Sequence, residues 1–230
     1  MNIILFALTV LPSIGLLIYA RNKDNYSSIP VQIITKAIFF GSIMVLPAFI
    51  LETVFNYSCS LIFYNSTIYT FINSFFGAGL IEETVKFVVL HYIATKYDKY
   101  FKTTYDGIIF SICSAIGFAI LEDIIYVFIY YGGDLSTAIA RAVTPGHFCF
   151  SIFMGILYSE AKKYERYNNT KYDHLLILSI IIPATIHGLY DFCLFMNNIV
   201  YLLIFLFLLI FLYTYAFKQI KRKSKEIFFI

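Results

Sequence analysis

Charge is what this sequence has least of. Only 13% of its 230 residues are charged, against roughly 25% in a soluble domain. Hydrophobic residues make up 60% and the mean hydropathy is +0.78. Such a chain cannot cover a globule with polar surface in water, so lipid is its natural solvent. Cysteine is also sparse. Cys59, Cys113, Cys149 and Cys193 include no CxxC pair, which argues against a disulfide framework or a zinc knuckle and leaves them as small apolar side chains. HExxH is absent, and with it the common zinc-protease helix. No internal repeat, long linker or low-complexity tract is visible. The basic stretch from Lys218 to Lys225 adjoins a hydrophobic segment, so it reads as a topology anchor and not as a nucleic-acid site.

What is there is a series of long apolar runs. A bilayer core needs roughly 20 apolar residues per helix. Seven stretches qualify: 3–20, 31–51, 69–94, 105–130, 138–158, 174–196 and 199–217. They show no dyad alternation, which favours helices over barrel strands. The expected fold is all-α, a polytopic transmembrane bundle of about seven helices (six to eight), forming one integral membrane domain over 1–230. The first run lacks a basic stretch before it and reads as a retained helix, not a cleaved signal.

Lys and Arg are distributed with a bias. One set of loops holds Arg21 and Lys23; Lys96, Lys99 and Lys102; Lys162, Lys163, Arg166 and Lys171; and the C-terminal cluster. The opposite loops, near 56–68, 131–137 and 197–198, hold none. The positive-inside rule then predicts an outer N-terminus and a cytoplasmic C-terminus.

A charge at mid-bilayer costs about 2.5–3.5 kcal/mol on insertion scales, so each one requires a reason, and a functional site is the first to consider. The third run contains Glu82-Glu83-Thr84-Val85-Lys86. Glu82 and Lys86 are four apart and Glu83 and Lys86 three apart, so all three share a helix face. Two carboxylates beside one ammonium leave a negative surplus, which a lone structural ion pair would not need. In the fourth run Gly107, Ser111, Ser114, Phe118 and Glu122 recur at helical spacing, and Asp123 follows; the plainer reading is a hydrated helix end. In the fifth, Thr144, His147, Ser151 and Gly155 form a stripe behind Pro145-Gly146, where proline is expected to kink the helix. In the sixth, His187 and Asp191 are four apart, so Asp191 can orient the imidazole. Counting about 1.5 Å per residue from the outer end, Glu82, Glu122, His147 and His187 fall at similar depth. One buried polar site built by four helices is the expectation.

Carboxylates and imidazoles without a paired serine suggest activation of water, with a carboxylate taking its proton and an imidazole or acid stabilising the oxyanion or protonating the leaving amine. Glu82, Glu122, His147 and His187 are equally plausible ligands for a divalent metal such as zinc. The residues alone leave a glutamate-type and a metal-assisted hydrolase both open. Intramembrane acids and histidines also serve proton-coupled transporters, although no inverted repeat supports that.

The ordered motifs carry a resemblance. Glu82-Glu83-Thr84-Val85-Lys86 resembles the EExxK motif of the PrsW family of bacterial membrane proteases, and Phe118 to Glu122 resembles its FxxxE motif. His147 with Gly155, and His187 to Asp191, are similar to its two histidine motifs. The match spans residues 82–191, about half the chain. The related CAAX prenyl endopeptidases carry EExxxR, FxxxH and HxxxN-type motifs. Here Lys86 comes one residue early, Glu122 stands in place of His and Asp191 in place of Asn, which speaks against a prenylated substrate; a CAAX-type protease or immunity protein acting on another membrane substrate is the alternative. The resemblance implies a bacterial cell-membrane protease making the first, extracytoplasmic cut in a single-span anti-sigma factor, so that a sigma factor is later released. It implies Glu82, Glu83, Glu122, His147 and His187 as catalytic groups, with Lys86, Phe118, Asp123 and Asp191 in support. Glu82 would be the base toward water, Glu83 and Lys86 would tune it, and His187 would stabilise the oxyanion. The partners implied are the bilayer and a single-span protein, and not nucleic acid.

Overall fold

The computed structural model describes residues 2–24, 29–165 and 171–226. Arg166 of the basic loop set lies outside the described residues. These residues form seven helical runs and no β-strand. The helices are α1 (Ile3–Asn22), α2 (Val31–Ile43), α3 (Val45–Ile62), α4 (Ser66–Ile72), α5 (Ile81–Lys96), α6 (Thr104–Ile124), α7 (Leu135–Val143), α8 (Gly146–Glu165), α9 (Lys171–Phe195) and α10 (Ile199–Lys223). A π-helical stretch, Asn73–Leu80, joins α4 to α5, and another, Ile125–Tyr130, extends α6.

Side chains cap the helix starts where sequence permits. Asn2, Asn65, Asp134 and Asn198 each accept from a backbone N–H of the first turn, satisfying donors that have no partner within the helix. Thr103 and Asp106 form a reciprocal capping box at the head of α6.

Six runs are long and apolar enough to cross a membrane: Ile3–Asn22, Val31–Ile62, Thr104–Tyr130, Leu135–Glu165, Lys171–Phe195 and Ile199–Lys223. The chain is a multi-pass membrane protein. The remaining run, residues 66–96, is as long, but Asn73, Glu82, Glu83 and Lys86 depress its hydropathy. The second run is longer than the expected 31–51 and passes a junction at Met44. The fifth is divided where a kink was expected: α7 ends at Val143, α8 begins at Gly146, and Thr144-Pro145 lie between them. Proline lacks the N–H that would continue the helix, and the break leaves the Thr144 carbonyl to accept from Tyr190.

α6 is the central post. Every residue from Thr104 to Ala119 is buried, enclosed by α1, α2, α5 and α8, with α9 packed on α8 and on the first π stretch. Small residues set these approaches, as membrane helices require in place of a hydrophobic driving force. A Cβ on Gly155 of α8 would stand 2.6 Å from Ile108 Cα of α6, and one on Gly188 of α9 would stand 2.7 Å from Phe75 Cα. Gly155 and Gly188 therefore place His147 and His187, each on the same helix, at fixed distance from the acidic helices. All four cysteines are free and buried.

Candidate active site

Three acceptors meet one ammonium at the centre of the molecule. Lys86 Nζ lies 3.0 Å from Glu82 Oε2, 2.8 Å from Glu83 Oε1 and 2.8 Å from His147 Nδ1. Lysine offers three donors and no acceptor, so all three of its protons are used and Nδ1 of His147 must accept. His147 Nε2 then carries the ring proton and donates it to Glu122 Oε2 at 2.7 Å. Lys86 is 1% exposed and Glu83 1%; at that depth an unpaired charge is prohibitive, and the pairing is what permits either. Phe118 lies 4.4 Å beneath the ammonium, ring to nitrogen, a cation–π contact that explains an aromatic residue one turn before Glu122.

The second imidazole sits opposite the first, ring centres 5.2 Å apart. His187 Nδ1 faces Glu83 Oε1 at 3.1 Å and its Nε2 lies 3.5 Å from Asp191 Oδ2. Phe150 stacks on the His187 ring. α6 does not end before Glu122, and Asp123 is not a hydrated helix end. It is buried and paired with Arg141.

A cavity of about 720 Å³ opens over this cluster. Glu82, Glu122, His147, His187 and Asp191 line it, whereas Glu83 lies behind, between Lys86 and His187. The four expected residues from four helices are thus brought together. The two π stretches lie two residues before Glu82 and two after Asp123; such bulges recur where a helix must re-aim functional side chains.

One ligand atom each from Glu82, His147 and His187 lies within 4.8 Å of the others. Two imidazoles and a carboxylate are a donor set that suits zinc, and Glu122 on the far nitrogen of His147 is the orienting carboxylate such ligands need. The residues therefore fit a divalent ion. Glu122, the fourth expected ligand, stands outside that trio, behind His147.

Two residues of the site went unweighed in the sequence. Arg141 Nη2 lies 2.8 Å from Glu122 Oε2 and its Nε contacts Asp123; its signal was a lone arginine inside an apolar run. Glu52, one residue past the expected end of the second span, lines the cavity, and makes no hydrogen bond or ion pair among the described residues.

Comparison with known proteins decides the family. The PrsW family intramembrane metalloprotease model matches residues 29–216, which contain every group above. The chain belongs to the PrsW family. Protease PrsW of Clostridioides difficile (strain 630) is 31% identical over 235 residues, covering 100% of this chain and 96% of that protein. Those of Geobacillus kaustophilus (strain HTA426) and Bacillus subtilis (strain 168) are 32% and 31% identical, covering 80% and 86% of this chain and 77% and 86% of their own lengths. No solved structure matches. As a PrsW-family protein the chain is a membrane peptidase.

Proposed function

We propose that the peptide bond is cut in this cavity, with Glu82 as the base toward water. The observation that carries this is the convergence of Glu82, Glu122, His147 and His187 on one cavity. Glu82 is the member of the adjacent pair that faces the cavity. It takes a proton from the attacking water and passes it to the leaving nitrogen as the C–N bond breaks. The Lys86 ammonium, behind the cavity wall with all three protons engaged, holds Glu82 and His147 in place and adds a fixed positive charge near them. Glu83 holds Lys86 and His187 in place, and Asp191 brackets His187 from the other side.

If a divalent ion such as zinc is bound, Glu82, His147 and His187 would hold it and it would supply Lewis-acid polarisation of the scissile carbonyl, Glu82 then being a ligand and not the free base. One observation favours a second, metal-free reading, in which His187 serves the oxyanion. Lys86 already occupies Glu82 Oε2 and His147 Nδ1, so ion and ammonium compete for them. Metal analysis of the purified protein, alongside chelator sensitivity of cleavage, separates the two.

The substrate in this proposal is a single-span anti-sigma factor in a bacterial cell membrane, clipped on its extracytoplasmic side. The charge bias of the loops and the family support it. The test is cleavage of a reconstituted single-span substrate by Glu82→Ala and Glu83→Ala variants. Both are expected to be inactive, and full activity in both would end the proposal.

A further inference from the structure

Arg141 is the one member of this cluster carried by the short first segment of a divided span. It sits on α7, a nine-residue helix between Gly132-Gly133, both at positive φ, and the Thr144-Pro145 break. α7 packs against α1 and the π stretch after α6, and Thr137, Ala140 and Arg141 line the cavity. The guanidinium reaches down to Glu122 and Asp123 and lies over the Tyr126 ring. Its contact on Glu122 is to Oε2, the same oxygen that accepts the His147 Nε2 proton.

That shared oxygen ties Arg141 to the imidazole. The fork is shared, Nη2 on Glu122 and Nε on Asp123, so one guanidinium fixes the two adjacent carboxylates relative to each other. With Glu122 fixed and accepting from Nε2, the His147 ring proton stays on that nitrogen and the Nδ1 lone pair points to Lys86. Without Arg141, Glu122 keeps only its hydrogen bond to His147 and loses its ion pair, and Asp123 loses its partner, which leaves two largely buried carboxylates side by side. Their repulsion would turn Glu122 away.

We propose that Arg141 is a positioning residue, which through Glu122 holds His147 in the form that presents Nδ1 to the site. This rests on the peptidase reading for the meaning of His147 but not for its test. The test uses the full-length protein in detergent with ¹⁵N-labelled histidine at one fixed pH, the His147 signals being assigned by their loss in His147→Asn. The wild type is expected to show a protonated Nε2 and a bare Nδ1. Arg141→Ala is expected to populate both forms, to weaken zinc affinity about 10–100-fold, and to lower kcat with KM unchanged, at a thermal midpoint that shows the chain folded. Arg141→Lys, which keeps the charge but loses the fork, is expected to fall between, and it serves as the test if the alanine variant does not fold.

An unchanged His147 spectrum in both variants would overturn the proposal. So would a loss of kcat no larger than the loss of folded protein. A wild type that cleaves nothing would instead count against the peptidase roles assigned above, while the histidine spectrum would still judge Arg141.

Discussion

At the scale of single residues, the site is a matter of donors matched to acceptors. Lys86 has three protons and three acceptors, two of them carboxylates on its own helix face. Removing it leaves Glu82 and Glu83 buried without a counter-charge, and breaking a buried pair in this way costs about 3–5 kcal/mol. A divalent ion is the natural replacement. Lys86→Met is therefore expected to be less stable than wild type without metal, to bind zinc more tightly, and to gain more in thermal midpoint on zinc addition. An equal zinc-induced gain in both proteins would show that ammonium and ion do not share a place.

Glu52 is the reverse case, a carboxylate in the membrane with no such match. It shares both the main cavity and a side pocket of about 190 Å³ with Glu82 and Glu122. Carrying it must cost stability, since nothing among the described residues pairs with it and Glu82 and Glu122 are like charges. Glu52→Gln is expected to raise the thermal midpoint in detergent. A lower midpoint would mean that the carboxylate has a stabilising role that its contacts do not explain. Residues retained against stability are commonly retained for function, so the same variant's cleavage rate is worth reading beside its melting curve.

At the scale of elements, the positions of His147 and His187 depend on how closely helices approach, and glycine decides that. Gly155→Ala must part α6 from α8, because its Cβ would lie 2.6 Å from Ile108 Cα and 2.8 Å from Gly107 O, backbone atoms with nowhere to go. Overpacking of this kind costs about 1–3 kcal/mol, and the separation would draw His147 from Glu122. Gly15→Ala is the control, since nothing lies within 4 Å of its Cβ. Loss of thermal stability and of cleavage is expected in the first and neither in the second; equal behaviour would refute the packing argument. The same helices show how much a sequence reveals. Glu82, Lys86, His187 and Asp191 were legible because a 3.6-residue repeat puts them on one face and mid-span charge is expensive. Glu52 and Arg141 were not, because a charge near a helix end is ordinarily hydrated. Only the break at Thr144-Pro145, which sets α7 apart from α8 with Arg141 over the cavity, gives it a buried partner. That break is itself a tertiary decision, since proline in a span permits a kink as readily as a stop.

At the scale of the whole molecule, the question is which side of the membrane the cavity serves. Its lining includes Tyr131 from the loop after α6, Thr137 from the first turn of α7, and Leu194 and Phe195 from the end of α9. Nothing from the lysine-bearing segments at 96–102 or 162–165 lines it. The cavity therefore belongs to the pole of the bundle that lacks loop Lys and Arg. Insertion retains positive loops in the cytoplasm, so the expectation is that this pole, and any cut made through it, faces the extracytoplasmic side. Tyr64 and Lys99 are both exposed and mark the two poles, and the four native cysteines are buried, so an added thiol can be read against a low background. A membrane-impermeant maleimide is expected to label Tyr64→Cys in intact cells and Lys99→Cys only after permeabilisation. The reverse pattern would turn the cavity toward the cytoplasm, and an outer cut in an anti-sigma factor would then be impossible for this chain even if every catalytic assignment held.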